Sequence, residues 1–342
     1  MKSFKYESQN INVILEGKYI VWKRKCTLLT DATSFLFSGS YDNSIKFWNV
    51  SNTEFIKTFR GHTDWIMCLT LIESKSHLVS SSKDHTVKIW DLKTFECLST
   101  LLHHRCVTSL LFILERDELI TADLNGEIRF FNSKYEYVDS ISTRSEQQNE
   151  SGAWCLEYIS YEDLLLIGTE NGKIKIFNLR TKVCVQVISD HSDRVHSMLV
   201  INQNQIVTGS WDKTIKFFNK HQNLKKTQKF DCERTLTGHK FYVIFIAVIK
   251  TTQELISMSE EGTIKIWDIQ MWKCLKTMTK HTDVITCCCL RVTSYECELL
   301  CDSRENEIRL WNIKNGKCKK IFSGHCDVVR CLLIYTKQNP IF

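Results

Sequence analysis

The stretch FSGSYDNSIKFWN, residues 37–49, returns 42 residues later as VSSSKDHTVKIWD, residues 79–91. In each copy small residues lead into an acidic turn. A β-branched and aromatic run follows and closes on Trp-Asn or Trp-Asp. The closing phrase places Ile or Val before a basic residue, then an apolar residue, an aromatic ring and Asn or Asp. It occurs seven times, with its ring at Trp48, Trp90, Phe131, Phe177, Phe218, Trp267 and Trp311. The intervals are 42, 41, 46, 41, 49 and 44 residues, which is the signature of a repeated structural unit.

Two further phrases keep step with the first. A histidine, often after glycine, precedes an apolar run: Gly61-His62, His104, His191, Gly238-His239, His281 and Gly324-His325. Between the histidine and the ring lies a second apolar run, such as HLVSSS, ELITAD or NQIVTGS. Each unit therefore reads as four short β segments joined by polar turns, and no segment carries an amphipathic helical period. Asn125-Gly126, Asn171-Gly172 and Glu261-Gly262 fit tight turns between the second and third segments. A lone four-stranded unit cannot bury both faces. Copies packed side by side around an axis can, and they leave only short edges exposed.

These residues resemble the WD-repeat β-propeller family. The likeness rests on Gly-His at 61–62, 238–239 and 324–325 and on Trp-Asp at 90–91 and 267–268, with Trp48-Asn49 and Trp311-Asn312 as near matches. It covers residues 18–336, leaving 1–17 as an N-terminal extension and 337–342 as a tail. The resemblance implies an all-β propeller of seven four-stranded blades. It also implies a buried Trp, Ser/Thr, His and Asp tetrad in the better-kept blades, in which the polar groups satisfy one another. The best match is His62, Ser82, Asp84 and Trp90; His191, Ser210 and Asp212 form a second set with Phe218 in the ring slot. The first unit has Ser40, Asp42 and Trp48 but Ile20 where the histidine is due. Elsewhere the Asp slot holds Asn125, Asn171, Glu261 or Glu305. After His325 another closing ring is due about 28 residues on, yet the chain stops at Phe342. Either the last strand completes the first blade, giving seven, or the sequence is cut inside an eighth.

The same resemblance places two positions per blade on a ligand-facing rim, one five residues after the histidine and one just before the Asp slot. By register these include Ser109, Trp154, His196 and Arg330 in the first set and Tyr41, Lys83, Trp211 and Arg304 in the second. Rings and arginines dominate interface hot spots. The partner-binding rim is therefore expected at Tyr41, Lys83, Trp154, His196, Trp211, Arg304 and Arg330.

Other chemistries find little support. The sequence has no GxxxxGK[ST], GxSxG or HExxH motif, so no catalytic residue is assigned and a non-enzymatic role is expected. Sixteen cysteines include Cys287-Cys288-Cys289, but adjacent strand residues face opposite ways and cannot easily converge on one ion. Cysteines recurring in register, such as Cys68, Cys331, Cys97 and Cys184, read as small buried strand residues, with no metal or cofactor expected. The N-terminal MKSFKYESQN has no apolar core of a signal peptide, which suggests a cytoplasmic or nuclear chain without a membrane partner. The net charge of +6 is mild. The expected function is a scaffold or adaptor that binds peptide segments of other proteins on the rim. It could serve as a recognition subunit of a larger assembly such as a ubiquitin ligase. The alternative is RNA binding through the basic insertion 220–234, with Lys220, Lys225, Lys226, Lys229 and Arg234, together with the rim. Residues 139–153 read as a polar surface loop.

Overall fold

Burial alternates along the third segment of each unit, as period two requires: in Thr86–Asp91, Val87, Ile89 and Trp90 are buried while Lys88 is partly exposed. The computed structural model describes residues 34–144, 152–222, 228–249, 252–279, 284–293, 296–302 and 306–336, with two short strands at Ile20–Val21 and Leu28–Leu29. The described residues form seven antiparallel blades, and their helical content is three single 3-10 turns.

Blade 2 gives the pattern: Ile66–Ile72, His77–Ser82, Thr86–Asp91 and Cys97–Leu102 pair in chain order. Its first strand is buried on both faces and its last is mostly exposed, so burial falls outward from the axis. Blades 3 to 7 start with the innermost strands Val107–Ile113, Ala153–Ile159, Val195–Asn202, Val243–Ile249 and Cys288–Thr293. Blade 1 is built differently. Ser34–Ser40, Ile45–Asn49 and Phe55–Phe59 form its outer three strands, and the C-terminal Val329–Thr336 supplies its innermost one. The ring thus closes at seven blades by pairing the two ends of the chain. Ile20–Val21 lies against Leu111 and Phe112 of blade 3, and Leu28–Leu29 against Val292 and Thr293 of blade 7, at the far ends of those innermost strands.

Hydrophobic burial is divided between the blades. Among the described residues it falls into seven clusters, each joining two neighbouring blades, including the pair formed by blades 7 and 1. Blades approach closely at Gly39, where a Cβ would meet Ile66 Cγ2 at 2.4 Å, and at Gly209, where it would meet Val243 Cγ1 at 2.7 Å. The cysteines divide by strand. Cys68, Cys287 and Cys331 are buried near the axis, whereas Cys97, Cys184 and Cys318 on outer strands are exposed and Cys274 is half-exposed. The expectation of burial thus fails for the outer set: these thiols sit at outer-strand bulges and donate to the carbonyl two residues on, as Cys97 does to Ser99 O at 3.4 Å.

Inside blade 2 the polar residues form one directed chain. Trp90 Nε1–H donates to Ser80 Oγ (2.8 Å), Ser80 Oγ–H donates to His62 Nε2 (2.8 Å), and His62 Nδ1–H donates to Asp84 Oδ2 (2.8 Å). The indole can only donate and the carboxylate only accept, so this order satisfies every member. The hydroxyl is Ser80, not Ser82. Ser82 faces the turn, donating to Asp64 O at 2.9 Å and accepting from Asp84 N at 3.0 Å. In blade 5 the hydroxyl beside His191 is Thr208 (2.7 Å), while Ser210 donates to Asp193 O (2.8 Å) and His191 Nδ1–H donates to Asp212 (2.6 Å). Blade 1 has a full set across the chain ends: Trp48, Ser38, His325 and Asp42, linked at 2.8, 2.7 and 2.7 Å. His325 therefore takes the place left open by Ile20, because the histidine travels with the innermost strand. Blade 6 uses Trp267, Ser257 and His239. In blade 3 the buried histidine is His103, 3.5 Å from Thr121 Oγ1, and His104 is exposed. His281 and Glu305 lie outside the described residues.

These environments set opposite responses to pH. Burial alone would raise the Asp84 pKa, but hydrogen bonds from His62 and Thr86 overcome it and hold the carboxyl well below the usual range; Asp42 and Asp212 are depressed in the same way by His325 and His191. Asp302 occupies the slot of Ser81 in blade 7, nine residues before the ring, and is fully buried. Burial pushes its pKa up to about 6, only partly offset by Thr286 and Cys287. A depressed carboxyl stabilises the fold above the unfolded pKa, near 4, and that contribution is lost as pH falls. A raised one favours the fold at low pH and loses this as pH rises from about 4 through about 6. Replacing Asp302 by Asn should therefore improve stability at pH 8 relative to its effect at pH 4.5, by on the order of 2 kcal/mol. Urea unfolding of both proteins at the two pH values measures it.

The position of the hydroxyl gives a second prediction. Ser80→Ala strands a buried indole N–H and an imidazole nitrogen and should cost about 2–4 kcal/mol. Ser82→Ala loses a turn contact and should cost about 1 kcal/mol. Denaturation midpoints of the two variants decide which serine is central.

Candidate interaction face

One face of the disc is built from two turns per blade. The residue before the Asp slot donates its backbone N–H to the carbonyl of the residue three past the histidine: Lys83 to Trp65 (2.9 Å), Trp211 to Arg194 (2.9 Å) and Glu260 to Tyr242 (3.0 Å). This bond sets the two side chains next to each other on the surface. The turn geometry beneath is fixed by left-handed residues such as Asn43, His85 and Gly172. At Gly172 (φ +79°) a Cβ would meet His191 O at 2.4 Å, so only glycine fits there.

The side chains so placed form two stacks. Across blades 1 and 2, Tyr41 lies on Trp65 with ring centroids 3.9 Å apart and planes at 12°, and Lys83 Nζ sits 3.8 Å from the Trp65 centroid. Across blades 4 to 6, the Arg194 guanidinium is held between Trp154 (3.7 Å) and Trp211 (3.8 Å), and Trp211 lies on Tyr242 at 4.3 Å and 6°. Arg194 also donates to Glu170 Oε1 at 2.6 Å. Burial lowers the Arg194 pKa, and Glu170 only partly opposes this. Aromatic pairs and cation–π contacts are each worth about 0.5–2 kcal/mol, so the stacks hold their rings in place before any ligand arrives.

A second ring of residues lies nearer the axis. In blades 1 to 6 a β-bulge interrupts the innermost strand beside its start. The extra residue is Arg330, Met67, Thr108, Trp154, His196 or Ile244, and Thr286 holds the place in blade 7. A bulge re-aims its unpaired residue; Thr108 turns to the Ala153 carbonyl of the next blade, whereas Arg330 and His196 meet across the ring and mark its axial mouth. Arg330 of blade 1 donates from Nη2 to His196 Nε2 of blade 5 at 3.3 Å, although these blades are not neighbours. Arg330 Nη1 donates to Thr286 O at 3.0 Å, and His196 Nδ1–H donates to Ile244 O at 3.0 Å. The His196 ring also faces Trp154 at 6.3 Å.

Of the positions expected on the rim, Tyr41, Lys83, Trp154 and Trp211 thus stand in the stacks, while His196 and Arg330 line the mouth. Arg304 lies outside the described residues. Ser109 is buried one place further in, and Thr108 takes the bulge, because the count belongs to His103. Trp65, Arg194 and Tyr242 escaped the sequence reading. Their common offset of three residues from the structural histidine was the available signal. In the basic insertion, Lys220 is ion-paired with Glu162 and nearly buried, while Lys225 and Lys226 lie outside the described residues. Among the described residues no group of metal-ligating side chains gathers, and no helix is long and apolar enough to cross a membrane.

Comparison with known proteins agrees with this architecture. The family described as the IFT122 first beta-propeller matches residues 25–299. Periodic tryptophan protein 2 of Arabidopsis thaliana is 24% identical over 246 residues, which cover 71% of this chain and 22% of that protein. An uncharacterized WD repeat-containing protein of Schizosaccharomyces pombe is 24% identical over 239 residues, covering 69% and 62%. The p21-activated protein kinase-interacting protein 1-like of Gallus gallus is 29% identical over 90 residues, covering 26% and 22%. The chain spans less than two thirds of the length of each of these relatives. By this match and by its seven-bladed ring, the chain belongs to the WD-repeat β-propellers, in the family described as the IFT122 first beta-propeller.

Proposed function

We propose that this chain is a protein-interaction scaffold that docks extended peptide segments of partner proteins across the stacked face of blades 4 to 6. The observation that carries this reading is the ladder Trp154–Arg194–Trp211–Tyr242, a continuous aromatic and cationic surface contributed by three blades. Its rings are already ordered, so binding loses little side-chain entropy. One relative is named for interaction with a protein kinase, in keeping with a docking role. The stacks sit over turns, which vary without disturbing the strands below.

RNA binding through the insertion draws less support, since Lys220 is committed to Glu162. The two readings differ in salt dependence: contacts to phosphates weaken steeply as salt rises, whereas an aromatic-anchored peptide interface does so less.

The test is selection of linear peptides from a displayed random library against the purified chain, followed by fluorescence anisotropy on the tightest binder. Trp211→Ala should weaken Kd about 30-fold, as loss of a hot spot of roughly 2 kcal/mol does. Tyr161→Ala, at an exposed ring on the 3-10 turn Ser160–Glu162 of the opposite face, should leave Kd unchanged. The reverse pattern would sink the assignment of the face.

A further inference from the structure

Among the described residues, the half-buried arginines are paired with carboxylates, save one. Arg129 meets Glu127 at 3.0 Å, Arg194 meets Glu170 at 2.6 Å and Arg309 meets Glu307 at 3.3 Å; Arg291 pairs with Glu298. Among the described residues Arg330 meets only neutral acceptors, Thr286 O and His196 Nε2. A guanidinium carries five N–H donors, so most of its fork is uncommitted. A charge withdrawn from water without a counter-ion is costly.

The position of this cation is central. Its charge acts on Tyr41, Cys331, Cys68, Cys106, Arg194 and Cys287, groups spread over blades 1, 2, 3, 5 and 7. A carboxylate does lie in the wall below, but it is engaged. Asp302 accepts from Thr286 N (2.9 Å), Thr286 Oγ1 (2.7 Å) and Cys287 N (2.8 Å). Arg330 is tied to this group only indirectly, through the Thr286 carbonyl. A further donor stands close by: Trp154 flanks His196, and its indole N–H is buried with no acceptor. Among the described residues, the mouth therefore gathers donors in excess of acceptors around the Arg330 charge.

We propose that the axial mouth is an oxyanion site built on Arg330, and that it takes the carboxylate of an Asp or Glu side chain in the docked peptide. The carboxylate accepts two N–H bonds from the guanidinium fork, in the bidentate geometry that distinguishes Arg from Lys. Its neutral competitor, the His196 imidazole, gives up one of those bonds. The ladder anchors the flanking residues, and Arg330 selects among sequences by charge. This inference rests on the docking reading above, but the site itself can be tested apart from it.

The first arm uses inorganic phosphate as the probe and needs no peptide. Thermal unfolding is followed with phosphate against chloride at matched ionic strength, for the wild type and Arg330→Gln. Phosphate should raise the wild-type Tm more than that of the variant; equal shifts overturn the site. Near-UV circular dichroism checks that the variant is folded. Arg330→Lys serves as a second variant, retaining the charge without the fork, and should give an intermediate shift. The second arm compares peptide twins that differ only by Glu or Gln, scanned along a selected binder. The wild type should prefer one Glu twin at least tenfold, and Arg330→Gln should collapse that ratio towards one. Trp211→Ala should weaken both twins. A ratio that survives Arg330→Gln, or no preference for Glu at any position, overturns the assignment to a peptide carboxylate. Failure of every peptide to bind sinks the docking reading instead, and the phosphate arm then decides the site.

Discussion

Burial between neighbouring blades is the constraint on which this molecule depends. No blade owns a core. Phe37 of blade 1 packs with Ile66 and Trp90 of blade 2, and Trp48 of blade 1 packs with Phe322 of blade 7. Each fully buried aliphatic or aromatic side chain contributes about 1.5–3 kcal/mol, so a blade separated from both neighbours would lose far more than its own strand pairing returns. The ring must close, and it closes through strand pairing. Val329–Thr336 lies antiparallel to Ser34–Ser40 in continuous register, broken once by the bulge at Arg330. That pairing joins residues nearly three hundred positions apart, and its loop-closure entropy is offset because two interblade clusters form with it.

The polar chains inside the blades do a different task. They add less stability than the apolar clusters, but they fix where each turn stands. In blade 2, His62 bridges the entering loop to Ser80 of the second strand, and Asp84 then binds the backbone N–H of Thr63 at 3.0 Å. Loop and turn are thereby locked together, and these are the segments that carry Trp65 and Lys83. Blades that have lost part of the chain compensate in other ways. Blade 4 has Phe177 in the ring slot and Ile167 at the hydroxyl slot, both buried, and so replaces a polar network with apolar contact. Blade 7 substitutes a buried carboxylate, Asp302, that captures backbone N–H groups of Thr286 and Cys287. Substitution of polar networks by packing is possible because a satisfied network and a dry contact both avoid unpaired groups.

Much of this was legible in the sequence. Period-two burial and a repeat near 42 residues are consequences of pleated strands, and both survive in the text of the chain. The serine of the tetrad was misread because Ser80 and Ser82 lie on the same strand face two residues apart, so alternation cannot separate them. Distance from the ring can: the hydroxyl stands ten residues before it at Ser38, Ser80, Thr121, Thr208 and Ser257. His103 and His104 are adjacent in a loop, where no strand period separates them, and burial chose the first. The histidine of blade 1 could not be found by counting backwards, because the ring borrows it from the other end of the chain. The stacks were half legible. Rings at turn positions stood out, whereas Arg194 did not, since its place between two indoles is a property of adjoining blades.

The divergence between blades bears on function more than their likeness does. A ring of seven equal units would present seven equivalent surfaces, none distinguishable from the next. Here the bulge positions that the fold holds in equivalent places carry Arg330, Met67, Thr108, Trp154, His196, Ile244 and Thr286, no two chemically alike save the threonines. The backbone spends the same bulge in nearly every blade, and the side chains then break the symmetry. One half of the face becomes aromatic and cationic through Trp154, Arg194, Trp211 and Tyr242, while the opposite stack rests on Tyr41, Trp65 and Lys83. Recognition by such a disc follows from equal scaffolding beneath unequal surfaces: interblade packing fixes positions to within the tolerance of a strand, and sequence at the bulges and turns alone decides what those positions can hold.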